Sequence, residues 1–192
     1  MVHPLLLSLA NIDANIHSKG SLHAHLLLAL LPFTSFIHLK MCVRSLLSDR
    51  LVHESLDFML KPLKVAATIG IMMSDPVGNL RYCFTPLVAY IADTPKQCLL
   101  AGVSPQASPV STATYKQFGD PYPHPPCTAA ITLDAIKAAC EEANPDDFED
   151  FVKAAKHHVL NGIHEPFFRN WLLADPSKFL TPEVLHLFHQ LF

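Results

Sequence analysis

Asp93 ends a run of apolar and β-branched residues, Arg81-Tyr-Cys-Phe-Thr-Pro-Leu-Val-Ala-Tyr-Ile-Ala92, and is followed by Thr-Pro-Lys-Gln. Two kinds of chemistry suit a carboxylate in that setting. A sheet holds a side chain at the end of a buried strand firmly at a cleft edge, and metal-dependent nucleases and polynucleotidyl transferases carry a metal ligand there. Alternatively, Asp93 or Thr94 caps a helix whose first residue is Pro95, the commonest use of such a pattern. The local residues leave both readings open. Asp13, Asp75 and Glu165 are the other carboxylates that could join Asp93 in a metal centre. Each falls in a turn or loop, where solvated or turn-forming carboxylates are the rule.

The chain holds 12 histidines, enough to raise a metal-site question of their own. His23 and His25 alternate along an apolar stretch, His157 and His158 are adjacent at a helix end, and His186 and His189 share a helix face at i, i+3. The last pair could ligate zinc if a third ligand approached; the ordinary role of such residues is a half-buried surface position. His157 and His158 also suit a helix C-terminus through the macrodipole. Five cysteines, Cys42, Cys83, Cys98, Cys127 and Cys140, form no C-x-x-C pair and read as reduced thiols of an intracellular protein. With six glycines in all, the chain has no G-x-G-x-x-G and no phosphate loop. Ser8 and Ser74 lack a nucleophile elbow, and nothing in the sequence pairs Cys98 with His124.

The elements that must position Asp93 fall in two halves. Residues 3–12 and 24–32 are short and apolar on both faces, as expected of strands in the middle of a covered sheet. Asp13 to Gly20 has the composition of a hairpin-like turn between them. From Arg44 to Ala67 the period becomes helical: Val52, Leu56, Met59, Leu60, Leu63 and Ala67 share one face, and Pro62 should kink the helix or restart it. Asp75 to Asn79 is a turn, 81–92 a strand and 94–101 a short helix. Pro86 makes that strand an edge or a bulge, extended beside the 3–12 and 24–32 pair.

Residues 103–127 carry Pro105, Pro109, Pro121, Pro123, Pro125 and Pro126 and can sustain neither ladder nor helix. Beyond them, start signals at Asn144-Pro145 and Thr181-Pro182 place helices near 129–142, 146–158 and 182–191. The resulting division is a partial α/β core over 1–102, a proline-rich connection over 103–127 and a helical region over 128–192.

Composition constrains the partners. The chain has 192 residues, 50% of them hydrophobic, and a net charge of −3. It can bury a sizeable core, but lacks the basic footprint that phosphate contacts demand, so DNA binding by this chain alone should be weak or absent. The excess apolar surface invites self-association. No membrane role is expected: the Met1 end lacks a basic n-region, and Leu22 to Ile37 falls short of the roughly 20 residues a span requires.

Several segments occur in a familiar order: Pro4 to Ile12, His25 to Pro32, Ser74 to Arg81, Leu87 to Lys96, Tyr115-Lys-Gln-Phe-Gly-Asp-Pro121, Leu160-Asn-Gly-Ile-His-Glu-Pro-Phe-Phe-Arg169 and Phe179 to His186. Over nearly its whole length the chain resembles the transposases of the Plavaka group, abundant in mushroom-forming fungi and related to CACTA-type DNA transposons. The resemblance implies an RNase H-like enzyme that cuts and joins DNA strands with three carboxylates and two divalent ions, Mg²⁺ or Mn²⁺, in the nucleus. By position Asp93 matches the second carboxylate, a catalytic residue and metal ligand. The first should lie on a strand preceding Met1 and the third on a helix following Phe192. The stretch Gly102 to Val110 lacks the paired-cysteine knuckle of many relatives.

The expectation is therefore an α/β chain with an incomplete RNase H-like mixed sheet and a mainly helical C-terminal extension, a transposase fragment inactive alone. The alternative is a non-catalytic helical remnant kept for protein interaction.

Overall fold

The apolar face of 44–67 becomes a long helix. In the computed structural model, which describes residues 2–32 and 34–182, α2 spans Met41–Ile69 and buries Val52, Leu56, Leu60 and Ala67. Met59 and Leu63 pack half-buried against the same core. Pro62 does not interrupt it. Pro62 is exposed, and so is Phe58, whose carbonyl loses its i+4 donor, so the forfeited bond lies on the solvent side. The helix stops at Gly70, which adopts φ 73° with no room for a side chain beside the Tyr82 ring.

The protein is mixed α/β, with small sheets and several helices. Strands β1 (Val2–Ser8) and β2 (His25–Pro32) pair antiparallel, with Leu5 opposite Ala29 and an irregularity between Leu5 and Leu6. Their link contains the single-turn helix α1 (Ala14–His17), capped by the Asp13 carboxylate, and a 3₁₀ turn at Gly20–Leu22. The expected covered sheet is not what forms. Leu26, Leu27 and Leu30 are 63%, 60% and 56% exposed, while Leu31 is buried and Leu5 packs against the core. Strands form in both expected stretches, although β1 stops at Ser8 and residues 9–12 leave the ladder, and among the described residues the two-stranded ribbon meets the core through Leu31 and Leu5.

Residues 81–92 are also not one strand. β3 (Ile71–Ser74) and β4 (Leu80–Cys83) form an antiparallel hairpin around the expected turn, where the Asp75 carboxylate accepts the Val77 and Asn79 backbone N–H groups. Residues 84–89 then leave the ladder. Pro86 has no N–H to donate, and Thr85 is drawn into the core, donating to the Leu63 carbonyl at 2.7 Å and accepting from the Trp171 indole at 3.2 Å. Extended structure resumes at β5 (Tyr90–Ala92), which pairs in parallel with β6 (Leu180–Pro182). The expected pairing beside 3–12 and 24–32 is thus corrected: the strands of the described residues lie in three separate two-stranded sheets.

Helix α3 (Thr94–Ala101) falls where expected. Residues 103–127 carry one 3₁₀ turn, Tyr115–Gln117, and are held by single bridges between Val103 and Leu160, Ala107 and Thr114, and Ser111 and Pro126. Helix α4 (Ala129–Glu142) matches expectation, whereas α5 (Phe148–His157) begins two residues late. Asn144 closes a turn onto the Asp146 N–H at 3.0 Å, leaving Asp147 to cap the helix. A last short helix, α6 (Pro176–Phe179), leads into β6. The expected helix at 182–191 lies outside the described residues beyond Pro182.

One apolar cluster joins Leu31, Leu56 and Leu100 to Ala107 and Cys127 and to Phe167 and Phe179, and so draws on all three stretches of the chain. A second lies between α4 and α5, around Ile136, Ala139, Phe151 and Ala155. Among the described residues no helix is long and apolar enough to cross a membrane.

Candidate functional site

Asp93 stands where β5 turns into α3. Its backbone is extended (φ −68°, ψ 161°), Oδ1 accepts the Lys96 N–H at 3.0 Å and its carbonyl accepts the Gln97 N–H at 2.8 Å. Pro95 occupies the first turn, where no N–H is needed. At the other end Gly102 takes φ 77°, and the Val103 N–H reaches back to the Cys98 carbonyl at 3.1 Å, which closes the helix. The capping role is therefore realised. Asp93 is half-buried, and among the described residues no ion pair reaches it.

The other sequence-predicted carboxylates are not brought to it. Asp13 caps α1, Asp75 organises the β3–β4 turn and pairs with Arg81, and Glu165 pairs with Arg169. His23 takes a left-handed backbone at φ 51° in the β1–β2 link, His25 stacks edge-on against His17, and His186 and His189 lie outside the described residues.

Sequence reasoning missed a buried polar belt on α2. His53, 1% exposed, accepts the Phe167 N–H at Nδ1 (3.0 Å), so Nε2 carries the proton donated to the Leu99 carbonyl (3.0 Å). Burial holds this imidazole neutral, its pKa pushed down to about 4. The buried Lys64 ammonium donates to Asp57, to the Phe167 carbonyl and to Asn170, the last at 2.8 Å. Arg169 reaches the same Asp57 carboxylate at 3.0 Å. Burial opposes ionisation of Asp57, but the hydrogen bonds and charges of Lys64 and Arg169 outweigh it and hold the carboxyl below its usual range. Burial lowers Lys64 in turn, against Asp57. One turn before His53, burial raises Asp49 to about 6 despite Lys96. The belt ties α2 to α3 and to residues 160–170. The spacing of Asp49, His53 and Asp57 by four residues along α2 is a local signal that could have marked it.

A third cluster sits where α4 and α5 end side by side. The Glu142 Oε1 is 2.7 Å from His158 Nε2, and His157 Nδ1 is 3.4 Å from the same carboxylate. Ligand atoms from the three residues lie within 4.8 Å of one another, the one such trio of His, Cys, Asp or Glu among the described residues. His157 and His158 were visible as a pair; Glu142, fifteen residues upstream of His157, was not.

A family model described as Plavaka transposase matches residues 1–192, the whole chain. The chain belongs to the Plavaka transposase family. No curated protein and no solved structure matches it. The segments that carry the likeness to the Plavaka group supply the first two constructions: Leu87 to Lys96 forms β5 and the Asp93 cap, and Leu160 to Arg169 supplies Phe167 and Arg169 of the buried belt.

Proposed function

We propose that this Plavaka-family chain derives from the RNase H-like core of a DNA transposase, and that Asp93 is one of the carboxylates that hold Mg²⁺ or Mn²⁺ in an intact relative. The observation supporting this is the place of Asp93 at the carboxyl end of parallel strand β5, half-exposed and with Oδ1 fixed by the Lys96 N–H. Carboxyl ends of parallel strands are where α/β sheets receive ligands. A two-metal centre needs several carboxylates to hold ions about 4 Å apart, and Asp93 belongs to no trio of ligand residues among those described. The residues present do not by themselves fit that centre, so no cleavage step is assigned to them.

On this reading 1–102 is a piece of the catalytic core and 128–192 a helical extension. Further carboxylates come from other segments of an intact relative, which acts on DNA in the nucleus. Labelled duplex DNA incubated with the purified chain and Mn²⁺ should stay uncut, while Mn²⁺ should broaden the amide resonances of Ala92, Asp93, Thr94 and Lys96 and spare them in Asp93→Asn. Nicking lost in Asp93→Ala would overturn the inactivity. Absence of broadening would remove the metal reading and leave the cap.

The exposed leucines of β1 and β2 favour a second reading, a non-catalytic interaction remnant. Concentration-dependent self-association relieved by Leu27→Lys would support it; a monomer at all concentrations would count against it.

A further inference from the structure

We propose that Glu142, His157 and His158 form a binding site for a single zinc-type divalent cation at the paired C-terminal ends of α4 and α5. This goes beyond the transposase reading and is independent of Asp93. Glu142 is the last residue of α4, His157 the last of α5 and His158 its C-cap. Two imidazoles and one carboxylate are the donor set of a borderline-soft ion such as Zn²⁺ or Co²⁺; Mg²⁺ demands oxygen donors and keeps its water.

The geometry needs little adjustment. Tetrahedral zinc with bonds near 2.0–2.1 Å sets its ligand atoms about 3.4 Å apart, and the three ligand atoms here already lie within 4.8 Å. The contraction falls on His157, whose side chain is 76% exposed and can turn. His158 is the fixed member. Its N–H bonds the Ala154 and Ala155 carbonyls, Val159 turns the chain away in the left-handed region at φ 60°, and the Leu160 side chain is buried in the α4–α5 cluster. The α4–α5 contact through Ile136, Ala139, Phe151 and Ala155 brings Glu142 across.

Electrostatics favour a cation as well. Both helices direct the negative ends of their dipoles at this point, and the carboxylate lies between the two imidazoles. The ion takes the place of the proton shared by Glu142 and His158: Nε2 gives its lone pair to the metal and Nδ1 carries the remaining proton. Three protein ligands leave one coordination position open to water or to a side chain of another molecule.

Chelator-stripped chain titrated with Zn²⁺ in a calorimeter should take up one ion at this site. Glu142→Gln, which keeps the side-chain shape, and His158→Ala should each weaken that uptake by more than about tenfold. His17→Ala, at the ring contact with His25, should leave it unchanged. Zinc should raise the melting temperature of the unaltered chain but not of Glu142→Gln, because the bound ion ties α4 to α5. A large excess of Mg²⁺ should not displace it. The proposal fails if no zinc is taken up, if Glu142→Gln binds it as tightly as the unaltered chain, or if His17→Ala abolishes the uptake.

Discussion

The β1–β2 ribbon and helix α2 differ in what they expose and what they bury. The ribbon consists largely of leucine and leaves most of it in solvent, whereas α2 carries a histidine and a lysine into the interior. Residue type alone does not decide burial: coverage decides for the ribbon, and hydrogen-bond satisfaction decides for the belt. His53 and Lys64 are tolerated inside because Phe167, Leu99, Asp57 and Asn170 meet their polar atoms. The leucines of β2 stay outside because only Leu31 and its surroundings reach the core.

The sharpest way to break this contrast is to delete the same side chain on both sides of it. Leu56→Ala, at a fully buried position of α2, should cost about 3 kcal/mol in urea unfolding, and Leu27→Ala in β2 less than about 0.5 kcal/mol. Equal losses would show that the ribbon is covered in solution. The belt comes next. Asp57→Ala strands the Lys64 ammonium and should cost about 3 kcal/mol, part of which Lys64→Met should restore in the double variant, since the lone buried charge is then gone.

Two groups of the belt give opposing pH dependences. His53 titrates near 4 when folded against an ordinary 6.5, so the folded state binds fewer protons in that window. Its contribution is complete above 6.5 and is lost as pH falls toward 4. Asp49 titrates near 6 against 3.8, so the folded state binds more protons, and its contribution is complete below 3.8 and is lost as pH rises toward 6. Each spans about 3 kcal/mol, and between pH 4 and 6 they nearly cancel. Stability of Asp49→Asn should therefore rise across that range relative to the unaltered chain, and that of His53→Gln should fall. Melting curves at pH 4, 5 and 6 check both; parallel profiles in all three proteins would show that these residues are solvated like the ribbon.

The smallest effect concerns Asp93. Asp93→Ala should lower stability by about 1 kcal/mol and Asp93→Asn by only a few tenths, as for a helix cap. A loss from Asp93→Asn as large as that from Asp93→Ala would mean that the charge itself is held by something other than the Lys96 N–H.

What was legible in the sequence follows the range of the interactions. The apolar face of α2, the Asp75 turn, α3 with its Asp93-Thr-Pro start and α4 depend on neighbours a few residues apart, and they formed as read. The division of 81–92 did not show, because Thr85 is held by Leu63 and Trp171, far along the chain. The belt was hidden for the same reason: Phe167 lies 114 residues from His53. At the candidate site Asp93 could be read as a strand-end cap, but not the β6 strand beside it. His157 and His158 stood out as a pair, while Glu142 joins them only through the packing of α4 on α5.

The parallel pairing of β5 with β6 also gives the strand side of Asp93 a long-range origin. Ninety residues separate Tyr90 from Leu180, whereas β3 and β4 are joined by a short turn and β1 and β2 by a modest link. Closing so long a loop carries an entropy cost that local hairpins avoid, and contacts of high sequence separation slow folding. The strand neighbour of residues 90–92 is thus the most distant along the chain of the three strand pairings among the described residues. Asp93 therefore joins two ranges of interaction: its cap on α3 is local, made with Lys96 and Gln97, while the strand that ends at it is completed only by a partner ninety residues away.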